Sequence, residues 1–298
     1  MSDYILSAES NMDLSKEYAD FLDVVVLKSN YELDGEVYLD DFGESLDMKE
    51  FYKSMEEGAQ PTTSRINTQE YLDHLRKYLD DGKDIIHVCL STGLSGQFDS
   101  LVDAVETLKE EYPDRNIYPV DSRMGSYGIG LLVAKMSKLK KEGMPIDELY
   151  DWAIENRLHV INYTSNKNLE YVARGGRISK TAANIGGLLQ ICPVIEVNDE
   201  GELKVISKIR TENKLIDYMV KNMKENAIGS TDYNDQAFIG TCNNRKLASQ
   251  IKEAIEEEFK NIDGGVQIFD IGPTIGSHIG PGAVGLFYWG HDRMQSKK

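Results

Sequence analysis

Ile85-Ile-His-Val-Cys-Leu90, followed by Ser91-Thr-Gly-Leu-Ser-Gly-Gln97 and then by apolar residues at Phe98, Leu101, Val102, Val105 and Leu108, is the stretch that decides the fold. The first six residues form a run that is apolar except at His87 and rich in β-branched side chains, which predicts a buried strand. The last five recur at three-and-four spacing, which predicts an amphipathic helix. Strand, short loop and helix in direct succession are the unit from which α/β folds are built, and ligands of open α/β sheets bind at the loop between the two.

Working outward, the same alternation repeats. Strands are predicted at Val24–Leu27, Ile117–Val120 and Val160–Tyr163, with a helix over Tyr71, Leu72, Leu75 and Leu79 before the central unit. A further helix, Tyr127 to Lys141, stops at Gly143 with Pro145 just beyond. After about residue 160 come a glycine-containing segment over 174–187 and a hairpin of Val194–Val197, Asn198-Asp-Glu-Gly201 and Leu203–Ser207. Strands then follow at Phe238–Thr241, Val266–Phe269 and Ala283–Phe287, with helices near 212–225 and 244–260. At 298 residues the length prior gives two units, which we divide into an N-terminal α/β domain, 1–160, and a C-terminal α/β domain, 161–298.

Composition limits the function. Thirty-three Lys and Arg against 50 Asp and Glu give a net charge of −17, which repels nucleic-acid backbones at long range. The longest apolar runs fall far short of the ~20 residues of a membrane span. The N-terminus has neither basic leader nor apolar core, so a cytoplasmic location is expected. Cys89, Cys192 and Cys242 stand singly, without metal-ligand spacing, and read as small core residues. Neither a phosphate-binding Gly-x-x-x-x-Gly-Lys loop nor Gly-x-Gly-x-x-Gly follows a predicted strand, so nucleotide hydrolysis and dinucleotide chemistry lack support, and no cofactor is expected.

Three segments carry the remaining chemistry. Pro61-Thr-Thr-Ser64 places hydroxyls before a helix, either as caps or as donors to an anion. Ser95 lies in the loop after the central strand; Gln97 stands where a nucleophile elbow would need its second glycine. His278 sits in Ile271-Gly-Pro-Thr-Ile-Gly-Ser-His-Ile-Gly-Pro-Gly-Ala283, which reads either as a shaped loop carrying a site or as a tight turn. Lys135, Lys138, Lys140 and Lys141 crowd a predicted helix C-terminus, as dipole partners do. Together the hydroxyls and the imidazole point to anion recognition.

Pro61-Thr-Thr-Ser64, Ser91-Thr-Gly-Leu-Ser-Gly96, Asp121-Ser122, Arg174-Gly-Gly-Arg-Ile178 and Gly276-Ser-His-Ile-Gly-Pro-Gly282, in this order and across nearly the whole chain, resemble the motif series of the DegV family. The resemblance implies two α/β domains with a long-chain fatty acid in a tunnel at or near their interface. It places Thr63, Ser95 and His278 on the carboxylate, with Thr62, Ser64, Gly96 and Arg210 beside them. A protonated imidazole would strengthen the grip. It also implies a carrier rather than an enzyme: an ATP-dependent fatty acid kinase subunit would phosphorylate the presented acid for phospholipid metabolism. Arg174, Arg177 and Lys180 would be its docking face, with transient membrane contact. The rival is a serine hydrolase on lipid esters, with Ser95 as nucleophile, His278 as base and Asp121 or another acid as orienter. Three segments depart from the family pattern: Ser7–Asp13 replaces an Asp-Ser-Thr-Ala-Asp type of segment, Arg65-Ile66 a Gln-Pro pair, and Cys192-Pro193 a Lys-Pro pair.

Overall fold

A computed structural model describes residues 4–179, 181 and 191–293. Its first sheet is parallel, in the order β2-β1-β6-β7, formed by β1 (Tyr4–Glu9), β2 (Val24–Leu27), β6 (Asp84–Cys89) and β7 (Ile117–Asp121). The chain leaves β1 toward β2 on one side and returns through β6 on the other, so the order reverses between β1 and β6. Loops at such a reversal diverge and leave a crevice at the carboxyl ends of the strands. The helix before β6 is α3 (Thr68–Asp80), and α4 (Gln97–Glu111) follows it, as the periodicity predicts.

The central strand β1 escapes sequence reading. Its apolar positions Tyr4, Leu6 and Ala8 are buried, but so are Ser7 and Glu9 beside them, so polar core residues interrupt the continuous apolar run that a strand buried on both faces would show. A small antiparallel sheet, β4-β3-β5, adds β3 (Asn30–Leu33), β4 (Glu36–Leu39) and the two-residue β5 (Thr62–Thr63). Its hairpin turns on Asp34-Gly35, both at positive φ.

The second sheet is mixed, in the order β10-β9-β8-β13-β11-β12. It contains β8 (Val160–Ser165), β9 (Ile191–Val197), β10 (Leu203–Arg210), β11 (Ala237–Thr241), β12 (Val266–Asp270) and β13 (Val284–Trp289). The predicted hairpin is present with longer arms, β9 and β10 pairing antiparallel from Leu203↔Val197 to Arg210↔Ile191. The Glu212–Asn226 and Arg245–Glu258 helices match their expectation.

Helix α5 (Tyr127–Lys141) packs against strands of both sheets. The close approach needs glycine twice: a Cβ on Gly130 would come 2.9 Å from Leu14, and one on Gly240 would come 2.6 Å from the Tyr127 ring. One apolar core therefore runs through both halves. We propose the domain division at Val160, where the second sheet begins. At the end of α5, Lys135 and Lys140 pair with Asp235 and Asp23, and Lys141 donates to the Phe21 carbonyl, so these lysines serve local structure. All three cysteines are buried free thiols.

Candidate functional site

A cavity of about 460 Å³ lies between the carboxyl ends of the first sheet and one face of the second. Asn162 and Thr164 of β8, Ile195 and Val197 of β9 and Phe287 of β13 line it, alternate residues that share one face of their strands. Leu90, Leu94, Ile275 and Ile279 close it with further apolar surface.

The Ile271–Ala283 stretch is not a loop around His278. It is a helix, Pro273–Ile279, capped by Gly280 at φ 81 before the turn into β13. Proline is tolerated at its first position, where an N–H has no helical partner, and Gly276 serves contact rather than bending: a Cβ there would come 2.5 Å from the Tyr52 hydroxyl. Acids of the first half hold the helix entry. Asp13 accepts from Gly272 N at 2.9 Å and from Ser126 Oγ at 2.5 Å, and Asp40 accepts from Thr274 N at 3.3 Å. Burial raises both carboxyls, Asp40 to about 6, and the charge of Asp40 raises Asp13 further. Asp13 closes the Ser7–Asp13 segment, so that departure from the family pattern keeps a structural role.

Thr63, Ser64, Ser95, Gly96 and His278 all line the cavity. Thr63 Oγ1 and His278 Nε2 are hydrogen-bonded at 2.8 Å across 215 positions of sequence. The hydroxyls before α3 are not its caps. Asn67 caps it instead, accepting from Glu70 N while Glu70 accepts from Asn67 N, which leaves Thr63 and Ser64 free for other bonds. Thr62 does not line the cavity. Neighbouring strand residues point to opposite sides, and Thr62 is exposed opposite Glu32. Arg210, at the exposed end of edge strand β10, is also absent from the lining.

Arg177 turns inward rather than out to a docking face. It lines the cavity, and its Nε donates to Leu94 O at 3.1 Å while Nη1 donates to Gly175 O, which ties the 174–178 turn to the 91–96 loop. Burial lowers its pKa. Arg174 is exposed, its guanidinium 5.0 Å from the Tyr171 ring centre; Lys180 lies outside the described residues. Arg65 lines the cavity as well and Ile66 is buried, while Cys192 and Pro193 lie inside β9.

His278 is held neutral. Burial first, then the positive charges of Arg177 and Arg174, lower its pKa to about 4, which favours the neutral imidazole at neutral pH, a protonation state the sequence left open. The hydrolase arrangement is not assembled. Ser95 Oγ bonds Gln97, His278 bonds Thr63, and Asp121 accepts from Thr92 and pairs with Arg123. Among the described residues no group of three or more His, Cys, Asp or Glu could hold a metal, and no helix is long and apolar enough to cross a membrane.

A family model described as uncharacterised protein, DegV family, matches residues 6–290. A DegV domain-containing protein of Clostridium perfringens is 34% identical over 290 residues, 97% of this chain and 98% of that one. Among solved structures, a fatty acid binding DegV family protein from Streptococcus agalactiae is 25% identical with a TM-score of 0.82, covering 96% of this chain and 98% of that one. A stearic acid-binding protein from Eubacterium ventriosum is 24% identical with a TM-score of 0.83 and the same coverages.

Proposed function

The chain belongs to the DegV family, and from that membership we propose that it binds a long-chain fatty acid, with Thr63, Ser95 and His278 on the carboxylate and the tail among the apolar residues of the cavity. One observation carries the reading: two hydroxyls and an imidazole from three distant segments line a single, mostly apolar cavity of about 460 Å³. Hydrogen bonds to a charged group contribute about 1.5–3 kcal/mol each. The tail contributes more, at about 0.8 kcal/mol per buried methylene, or on the order of 10 kcal/mol gross for roughly 16 carbons. Arg177, a half-buried cation of the lining, supplies positive charge that the neutral His278 does not.

We place phosphorylation of the held acid on a separate ATP-dependent kinase subunit, with exposed Arg174 at the docking face and the chain acting as carrier. Adding acyl-loaded protein to such a kinase should yield acyl phosphate, and at sub-saturating fatty acid should yield at least about tenfold less when the Ser95→Ala variant replaces it.

Mass spectrometry of an organic extract from freshly purified protein is expected to find a stoichiometric acid of roughly 14–18 carbons, the length whose burial gives the affinity above. An extract without lipid, together with no binding of added palmitate or oleate, would overturn the fatty acid reading.

The neutral imidazole sets a pH signature. A folded pKa of about 4, below the ordinary 6.5, keeps His278 unprotonated from about pH 5.5 to 8.5. Affinity profiles of the wild type and His278→Asn should therefore run parallel over that window, offset but without divergence near 6.5. Divergence there would mean that the bound state charges the ring.

A further inference from the structure

We propose that Glu9, within the Ser7–Asp13 segment, is a positioning residue that sets Ser95 through Gln97; the inference rests on the reading of Ser95 as a head-group ligand. Glu9 ends β1 directly beneath the crevice and is fully buried. Its Oε2 accepts from Leu90 N at 3.0 Å, from Gln97 Nε2 at 2.5 Å and from Asn11 Nδ2 at 3.0 Å, and its Oε1 accepts from the Tyr71 hydroxyl.

Leu90 and Gln97 bracket the Ser91–Gly96 loop, so one carboxylate pins both ends of the segment that carries Ser95. The amide of Gln97 then has one orientation. With Nε2 spent on Glu9, Oε1 faces Ser95 at 3.3 Å and can only accept, while Gln97 N donates back to Ser95 Oγ at 3.3 Å. Both contacts are long. The Ser95 hydroxyl is thus held in place on a weak acceptor, from which a carboxylate, a stronger acceptor, can draw its hydrogen bond. Burial opposes ionisation of Glu9, but its bonds to Tyr71 and Leu90 N and the nearby His87 outweigh that and hold the carboxyl below its ordinary value, so it stays an acceptor.

The network extends away from the cavity. Ser7 Oγ lies 2.9 Å from His87 Nδ1 and 3.0 Å from His74 Nε2, and His87 Nε2 lies 3.8 Å from Glu9 Oε1. Burial first, then the neighbouring His87 ring and the Lys77 ammonium, lower His74 to about 3, so it faces this network neutral.

The test compares a fatty acid with the fatty alcohol of the same length, because the two share a tail and differ in what Ser95 meets. In Glu9→Gln the affinity for palmitate should fall about tenfold, the loss of roughly one hydrogen bond to a charged group, while that for hexadecanol stays within about twofold. Gln97→Met, which cuts the link and leaves Glu9 on Leu90 and Tyr71, should produce the same selective loss and serves if Glu9→Gln does not fold. Adding Glu9→Gln to Ser95→Ala should cost palmitate no further affinity. Equal weakening of acid and alcohol, or losses that multiply in the double variant, would overturn the inference and leave fatty acid binding intact. A wild-type protein that binds neither ligand would overturn the reading on which it rests, and the inference with it.

Discussion

Alanine at Gly201 is expected to lower the melting temperature by about 6 °C or more, an effect of about 3 kcal/mol for a chain of this size. Gly201 lies in the β9–β10 turn at φ 79, where a side chain costs about 1–2 kcal/mol. A Cβ there would also fall on Ser91 Oγ, with Arg123 Cδ 3.2 Å away. Ser91 cannot yield cheaply: it is buried, and its hydroxyl donates to the Gly201 carbonyl at 2.9 Å, a bond contributing about 1 kcal/mol. The turn thus docks on the loop that carries Ser95, backbone against backbone, since a Cβ on Gly93 would come 2.5 Å from the Gly201 carbonyl. Gly35→Ala is the control, because Gly35 has φ 85 and a Cβ added there would meet nothing within 4 Å. It should carry the backbone cost alone, and equal melting-temperature losses in the two variants would refute the docking contact.

The stretch from Ile85 to Leu108 is legible because a strand buried on both faces and a helix buried on one leave different periods in the sequence. Legibility fails where packing overrides local preference. Gly276 and Pro273 speak against a helix by propensity, yet the close approach of Tyr52 requires the one and the first helical position accepts the other. Thr62 and Thr63 are identical in sequence and opposite in direction, which only the pairing of β5 with β3 decides. Arg177 reads as outward because it stands with Arg174 and Lys180 in one basic segment; its inward course depends on the Leu94 and Gly175 carbonyls, neither of which marks the sequence. Glu9 and Ser7 hide β1 for the same reason, since partners of theirs on α3, β6 and α4 lie 62 to 88 positions away.

Arg293→Met is expected to cost about 4 kcal/mol in urea unfolding, the larger of the two stability effects, since each buried carbonyl left without a partner costs about 1–3 kcal/mol. Only 1% of this arginine is exposed, and burial lowers its pKa to about 10, which leaves it charged at neutral pH. Its guanidinium donates to four backbone carbonyls: Nε to Val160 at 3.3 Å, Nη1 to Arg123 at 2.9 Å and Asn198 at 2.6 Å, and Nη2 to Arg157 at 3.0 Å. These belong to the loop after β7, the entry to β8 and the β9–β10 turn. Methionine fills much of the space but donates nothing. Lysine should recover less than half, because one ammonium cannot span what a planar fork with five N–H groups reaches. A loss under about 1 kcal/mol would show that water replaces the guanidinium. Arg293 and Gly201 hold the same turn against the first half of the chain, so their effects should not add. Once the turn has been released by one substitution, the second has less to break, and the double variant should lose measurably less than the sum of its parts.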